Sequence, residues 1–221
     1  HVYAGCVATA MSQVMKYFNY PVQGNGSFSY YPTGYGYNYP QQTANFGETL
    51  YNFERMPMSL DSTSTAEDIF YVAQLQWHCG ISVEMMYSPN GSGAYSEMVP
   101  YAVAEYFRYN PNTEIVYKDW YYNSSWIQLL KSQLDDNHPI YYAGSDVYGA
   151  GGHAFVCDGY DENDFFHFNW GWGGMSDGYF LLTSLNPDHQ GTGGSVEKLA
   201  FDYLHDMVYG LCKPVEGSQA V

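Results

Sequence analysis

The sequence predicts an α+β fold in which a mainly helical half precedes a mainly β half. In the first half, apolar residues recur at helical spacing over about 6–18, 65–78, 98–107 and 125–136. From Pro139 onward, short apolar runs separated by glycines indicate strands at 139–143, 153–160, 164–170, 178–184 and 206–212. Helices and strands segregated along the chain favour α+β over alternating βαβ units. We expect one domain over 1–221, with a helical lobe mainly in 1–138 and a β lobe mainly in 139–221.

The first predicted helix has the clearest pattern. Its apolar positions follow the i, i+3, i+4, i+7 spacing of a buried helix face: Val7, Ala10, Met11, Val14, Met15 and Phe18. The segment Asn19–Pro21 ends it, because proline cannot continue a helix. The following stretch, 22–47, is rich in Tyr, Gly, Asn and Pro and shows no period, so we expect a long surface segment with at most short strands.

The second helix has a capping-box pattern at Ser64 and Glu67, and Gly80 gives it a stop signal. We expect its buried face at Ile69, Ala73 and Trp77. Alternating Ile81, Val83 and Met85 then predict a strand over 81–87.

The two later helices have their own start signals. Pro100 is tolerated in the first turn of the third helix. Ser125 and Gln128 are expected to cap the fourth, which would direct Trp126, Leu129, Leu130 and Leu134 inward.

Composition excludes several classes of function. The chain has 221 residues, 46% of them hydrophobic, and 7 Lys+Arg against 23 Asp+Glu give a formal net charge of -16. Nucleic acid or an anionic membrane surface would repel such a chain, so we expect neither as a partner. No apolar run approaches the roughly 20 residues of a membrane span. The acidic, Lys-poor, Tyr-rich composition is typical of a secreted protein, and the start at His1 leads us to expect an N-terminally truncated piece of a longer one.

The four cysteines do not form a metal or redox motif. Cys6, Cys79, Cys157 and Cys212 include no Cys-x-x-Cys pair, which excludes a zinc ribbon or a thioredoxin motif. We expect no metal and no cofactor. The last three are interpreted as small buried apolar side chains, although up to two disulfides remain open.

Cys6 stands at the start of the first helix, directly after Gly5. Backbone N–H groups are unpaired at a helix N-terminus, and the helix dipole is positive there. Both favour thiolate over thiol, which predicts a lowered pKa and a nucleophile. The alternative is an inert buried cysteine in the first turn, and Cys6 alone does not decide between them.

Two segments in the second half can complete a catalytic set. His153 follows Gly151-Gly152 at the head of an apolar strand, and Asn169-Trp170 ends a later strand. Each has a structural alternative, a core histidine for the first and a tight turn with a packed Trp for the second. The order of Cys6, His153 and Asn169, with about 130–150 residues between Cys and His, is that of papain-like peptidases. In that chemistry the thiolate attacks a carbonyl, the imidazolium protonates the leaving amine, and the third group orients the imidazole.

With these motifs, the sequence resembles the streptopain family of secreted cysteine peptidases over nearly its full length. The matching motifs are Gly5–Ala10 with Lys16-Tyr17 and Asn19–Pro21, Gly80–Val83 with the loop 88–93, Pro139–Tyr142, Gly151–Val156, Asn169–Gly174 with Ser176–Gly178, and Leu185–Pro187 with 191–194.

The resemblance implies a papain-like two-lobed fold and hydrolysis of peptide bonds in proteins. It implies that Cys6 is the nucleophile, His153 its acid/base partner, and Asn169 and Trp170 the residues that orient and shield His153. Substrate would contact Trp172 on the leaving-group side, together with Ser92, Gly93 and Gly152. It further implies a preference for a hydrophobic residue one position before the scissile residue, a zymogen whose propeptide occupies the active site, and action outside the cell.

The sequence departs from the family pattern in two places. The family has an oxyanion-hole glutamine upstream of the nucleophile, and here only five residues precede Cys6, so that donor and the propeptide are expected in an upstream segment. The family's mobile Gly-rich loop corresponds to the less Gly-rich 197–201, which leads us to expect different gating or specificity.

Two other functions remain open at this stage. A Cys-His cell-wall amidase shares the order of the two residues, although Asn169-Trp170 favours the peptidase. A catalytically inactive binding module would instead use exposed Tyr and Trp side chains to stack on sugars.

Overall fold

The computed structural model describes residues 1–148, 151–191 and 200–214. It has the predicted α+β architecture. The helices are α1 (Cys6–Phe18), α2 (Ala66–Ser82), α3 (Val99–Phe107) and α4 (Asn123–Asp135). The strands are β1 (Phe28–Tyr30), β2 (Thr33–Gly34), β3 (Tyr37–Asn38), β4 (Gln42–Ala44), β5 (Glu114–Tyr117), β6 (Ile140–Ser145), β7 (Gly152–Tyr160), β8 (Phe166–Asn169), β9 (Gly178–Phe180) and β10 (Tyr203–Tyr209).

A six-stranded antiparallel sheet in the order β5-β10-β6-β7-β8-β9 joins two hydrophobic cores. Successive side chains of a strand point to opposite faces. Tyr141 accordingly packs in the core that contains α1 and α2, whereas Tyr142 packs in the core that contains α4. Both faces of β6 are therefore buried, which explains why its sequence is a continuous apolar run.

Helix α1 has the predicted bounds and buries the predicted face, including Val7, Met11 and Val14. Gly5 precedes it with φ 90, a conformation that favours glycine. A Cβ on Gly5 would lie 2.6 Å from Sδ of Met85. Gly5 thus lets the chain enter α1 close to the loop after α2.

Helix α2 differs from its prediction at both ends. Its capping box is formed by Thr65 and Asp68, one residue after the predicted pair. The helix continues through Gly80 to Ser82, so the predicted strand over 81–87 is wrong. A Cβ on Gly80 would lie 2.3 Å from the hydroxyl of Tyr87, which shows that this glycine serves close packing and not helix termination.

The predicted buried face of α2 is also wrong. Ile69, Ala73 and Trp77 are exposed, whereas the buried side chains include Leu75 and Cys79. Apolar residues occur around most of this helix, so their spacing is compatible with more than one buried face, and packing against α1 selects among them.

The later helices agree better with their predictions. Helix α3 carries Pro100 in its first turn. Helix α4 starts at Asn123, slightly before the predicted cap at Ser125, and buries Trp126 and Leu130. Helix α4 packs on the six-stranded sheet, and β5, a strand that the sequence did not predict, forms one edge of that sheet. The core of the β lobe therefore includes segments that precede residue 138.

Short strand pairs β1–β4 and β2–β3 lie within 22–47, as expected. The C-terminal strands are close to their predictions, with β9 shorter and β10 starting earlier. Some positions lie outside the described residues. They include 149–150, positions 192–194 of the family motif at 191–194, and positions 197–199 of the less Gly-rich loop at 197–201. Within the described part of the chain, no helix is long and apolar enough to cross a membrane.

Candidate active site

A cleft of about 1440 Å³ runs between the N-terminus of α1 and the adjoining ends of β6 and β7, the last residues of β6 and the first of β7. Its lining contains all but one of the residues that the sequence analysis singled out: Cys6, His153, Trp170, Trp172, Ser92, Gly93 and Gly152. Residues from both halves of the chain thus meet in one place. Asn169 does not line the cleft but lies directly behind it.

Cys6 is the first residue of α1. Its sulfur accepts hydrogen bonds from the backbone N–H groups of Ala154, Val7 and Cys6 itself, and these hydrogen bonds favour the thiolate. Burial opposes them and is the larger effect, so the pKa of the Cys6 thiol is raised. The predicted lowering of this pKa by the helix terminus alone is therefore wrong, because the site also removes the thiol from water.

His153 lies near the start of β7, directly before Ala154, and is 4% exposed. Its Nε2 is 2.8 Å from the main-chain oxygen of Trp170. A carbonyl oxygen can only accept, so Nε2 carries the proton and Nδ1 keeps a free lone pair. Nδ1 is buried and has no hydrogen-bond partner. Burial lowers the pKa of His153 to about 4, so the ring is neutral at rest.

Asn169 does not make the contact that its predicted role requires. Its Oδ1 accepts from Nε2 of Gln13, at 2.9 Å, and from the backbone N–H of Gly171, also at 2.9 Å. The acceptor that orients His153 is instead the carbonyl of the next residue, Trp170. The antiparallel pairing of Val156 with Asn169 places the Asn169 side chain toward α1 and leaves the Trp170 main chain beside the imidazole.

Two indole rings cover His153. Trp172 stacks on the imidazole with ring centroids 4.7 Å apart and 16° between planes, and the fully buried Trp170 lies nearly parallel at 6.4 Å. Gly191 makes room for Trp172, because a Cβ there would lie 2.6 Å from its Cγ. Both indoles thus lie over the imidazole, and Trp172 makes the closer contact.

The structure adds positioning residues that the sequence analysis missed. Gln13 holds Asn169, and the carboxylate of Asp177 accepts the backbone N–H of Trp170 at 2.9 Å. Thr9 packs beside Gly171, where a Cβ would lie 3.1 Å from its Cγ2. A signal for two of them was present, since Thr9 and Gln13 follow Cys6 at i+3 and i+7 and so form a polar stripe on one face of α1.

The remaining cysteines lie elsewhere. All four are free, and Cys79 is buried against Ser12 and Met15, outside the cleft. Cys157 is buried in the β-lobe core, and Cys212 is partly exposed beside Asn110. Of the four thiols, Cys6 alone lines the cleft that contains His153.

A helical core and a sheet meeting at a cleft, with a thiol at a helix N-terminus and an imidazole on a neighbouring strand, define the papain-like class of fold. Known structures agree. Active interpain A cysteine protease of Prevotella intermedia superposes with a TM-score of 0.87 at 35% identity, covering 96% of this chain and 85% of that chain. A prointerpain A fragment matches with a TM-score of 0.80 at 32% identity, covering 96% of this chain and 64% of that one.

Sequence comparisons assign the family. The model of the Peptidase C10 family matches residues 1–180. The chain is 39% identical to thiol protease/hemagglutinin PrtT of Porphyromonas gingivalis over 86% of its length and 38% identical to streptopain of Streptococcus pyogenes over 88%. It covers 22% of PrtT and 49% of streptopain. The chain belongs to the peptidase C10 family, as the resemblance to streptopain-like sequences indicated.

Proposed function

We propose that this protein is a cysteine endopeptidase in which Cys6 is the nucleophile and His153 the general acid and base. One observation carries the proposal. The proton of His153 is held on Nε2 by the Trp170 carbonyl, while the basic Nδ1 is buried and unpartnered in the cleft that also contains the Cys6 thiol. A base with a fixed tautomer beside a thiol is what nucleophilic catalysis requires.

Acylation begins as the Cys6 thiol gives its proton to Nδ1 of His153 and Sγ attacks the scissile carbonyl. Burial disfavours each charge separately, but the thiolate and the imidazolium that form together stabilise one another, so the two groups titrate as a pair. The N–H of Cys6 has no intrahelical acceptor and points at its own Sγ in the resting site, so it can donate to the oxyanion that forms next to Sγ in the tetrahedral intermediate. The imidazolium then protonates the leaving amine, and a thioester to Cys6 remains.

Deacylation uses the same groups. Nδ1 of His153 takes a proton from water, the resulting hydroxide attacks the thioester, and the Cys6 thiolate leaves and recovers its proton. The Trp172 ring over the imidazole limits access of bulk water to that face, which strengthens the charge interactions in the site. Asn169 acts in this scheme as a positioning residue that fixes the turn bearing the Trp170 carbonyl.

The substrate is a polypeptide in an extended conformation along the cleft. In this proposal Ser92, Gly93 and Gly152 form the walls of the cleft, and Trp172 contacts the leaving-group side of the substrate, as the family resemblance implies. The two cores act as one catalytic unit. A propeptide as the natural inhibitor and action outside the cell are part of the same proposal, supported by the resemblance, by the pro-form described for interpain A and by the acidic, Lys-poor composition.

The test is labelling with a thiol-directed epoxide inhibitor combined with a casein-cleavage assay. We expect stoichiometric labelling at Cys6 and loss of casein cleavage in Cys6→Ala. Cys212→Ser is the matched control, because it removes the other partly exposed thiol and should leave both readouts unchanged.

Absence of labelling at Cys6, or equal cleavage by Cys6→Ala and the parent, would refute the proposal. Labelling accompanied by hydrolysis of peptidoglycan stem peptides and not of casein would assign the amidase function instead.

A further inference from the structure

A short hairpin on the helical side of the cleft carries a strained tyrosine that the proposed chemistry does not use. Strands β2 and β3 are joined by the two-residue turn Tyr35-Gly36, in which both residues have positive φ, 52 for Tyr35 and 80 for Gly36. Such a turn favours Asn-Gly, because asparagine tolerates the left-handed region and a bulky aromatic residue does not. A strained residue at the rim of a cleft is a candidate for function.

The hairpin packs closely against one wall of the cleft. A Cβ on Gly34 would lie 2.8 Å from the Cβ of Met86, so the hairpin backbone lies directly on that side chain. Met86 in turn exchanges both main-chain hydrogen bonds with Gly93, donating at 2.8 Å and accepting at 3.2 Å. A Cβ on Gly93 would lie 2.6 Å from the hydroxyl oxygen of Tyr35. The Tyr35 side chain therefore reaches from the hairpin to Gly93, and it is 61% exposed in the lining of the cleft.

The segment around Gly93 presents an open main-chain edge to the cleft. Because Gly93 directs both its N–H and its C=O to Met86, the corresponding groups of its neighbour Ser92 point to the opposite side. Ser92 and Gly93 line the cleft, and the Ser92 carbonyl oxygen would lie 3.1 Å from a Cβ on Gly5, the residue before the proposed nucleophile. An extended peptide can therefore add to this edge as a further strand that starts beside Cys6.

Antiparallel pairing fixes the register of the acyl part of such a peptide. Only in that direction can one substrate residue exchange both main-chain hydrogen bonds with Ser92. With the second residue before the scissile bond opposite Ser92, the third lies opposite Gly93. Residues opposite one another in an antiparallel pair share a face of the sheet. The side chain of the third residue thus lies on the face toward which a Cβ of Gly93 would point, and that face carries Tyr35.

A second tyrosine lies on the same face. Tyr95 is extended, with φ -88 and ψ 132, so strand alternation places its side chain on the same side as position 93. It also lines the cleft and is 67% exposed. Gly93 has no side chain, which leaves room for a substrate side chain beside the rings of Tyr35 and Tyr95. Aromatic pairs contribute more than the apolar area that they bury, so an aromatic side chain suits this subsite best.

We propose that Tyr35 is a specificity-determining residue whose ring binds an aromatic side chain at the third residue before the scissile bond. The proposal rests on the proposed peptidase function and deepens it. It is compatible with the hydrophobic preference that the family resemblance implies at the second residue, because that side chain points to the other face of the substrate strand. The left-handed backbone at Tyr35 is then explained by the need for an aromatic ring where asparagine would suit the turn better.

The test compares two fluorogenic peptides that differ only at the third residue before the scissile bond, one with Phe and one with Ala, and share an apolar second residue. For the parent we expect kcat/KM to be about 3- to 10-fold higher for the Phe peptide, the contribution of one aromatic pair. Tyr35→Asn should reduce this ratio to about one and leave the Ala peptide within about twofold, whereas Tyr35→Phe should retain the ratio. Tyr31→Asn is the matched control, because Tyr31 is an exposed tyrosine of the same segment outside the cleft lining.

Urea denaturation separates this role from a structural one. Asparagine suits the left-handed position, so Tyr35→Asn should have a urea midpoint equal to or above that of the parent although the preference is lost. A parent without preference for the Phe peptide, or equal losses on both peptides in Tyr35→Asn, would overturn the role of Tyr35 while leaving the peptidase proposal intact. If neither peptide is cleaved and Cys6 is not labelled by the epoxide, the peptidase proposal fails and this one with it.

Discussion

Replacing Asn169 by Ala separates its observed position from the role that the sequence predicted. The substitution removes an acceptor for two donors, Nε2 of Gln13 and the N–H of Gly171. Both donors are part-buried, and a buried donor left without a partner costs about 1–3 kcal/mol. Two such donors sum to about 2–6 kcal/mol, and because both are only part-buried we expect the free energy of unfolding to fall by about 2–4 kcal/mol, measured by urea denaturation.

Catalysis should respond less than stability. The acceptor for Nε2 of His153 is the main-chain oxygen of Trp170, which the substitution leaves in place. We expect kcat/KM to fall by less than about tenfold, with the pH profile unchanged. Gln13→Met is the matched variant, because it removes the donor on α1 and keeps the side-chain volume. A double-mutant cycle of Gln13 and Asn169 should give a coupling energy of about 0.5–3 kcal/mol.

The reasoning would be refuted by the opposite pattern. If Asn169→Ala left the urea midpoint unchanged but reduced kcat/KM more than 100-fold or shifted the pH profile, Asn169 would act directly on His153, as the sequence analysis first expected.

Two further predictions concern the fold. Burial lowers the pKa of His78, His153 and His205 to about 4, so the unfolded chain binds their protons first. Stability should therefore fall as pH falls from about 6.5 to about 4, by at most about 3.4 kcal/mol for each histidine, while the raised pKa of Asp206, about 7, offsets part of this loss. A urea midpoint that rises as pH falls over this range at fixed ionic strength would contradict this prediction. Gly144→Ala places a Cβ 2.1 Å from the main-chain oxygen of Phe201, so we expect a loss of at least about 2 kcal/mol by urea denaturation, and a wild-type midpoint would show that the segment at Phe201 moves freely.

Sequence periodicity predicted α1 well and α2 poorly. In α1 the apolar residues occupy one stripe, so the spacing indicates one buried face. In α2 they surround most of the helix, and the interior is selected by contact with α1, which a local pattern does not contain. The local pattern also predicts a helix stop at Gly80, and this prediction is wrong for the same reason. Gly80 is needed for the close approach of Tyr87, which depends on the later course of the chain and not on the helix itself.

The candidate site was predictable in residue type and order but not in its hydrogen bonds. Cys6, His153 and Trp170 line one cleft, although they are far apart in sequence. The acceptor for His153 is a main-chain oxygen, and any residue could supply it, so residue identity carries no signal for it.

The sequence by itself determined the segregation of helices and strands, the position of a cysteine at a helix start and the family, because these depend on local spacing and on motifs in a fixed order. Only the tertiary structure decided which α2 face is buried, that the Trp170 carbonyl is the hydrogen-bond partner of His153, and that burial raises the pKa of Cys6. Each of these follows from desolvation and from contacts between distant segments, which are properties of the packed chain and not of any stretch of it.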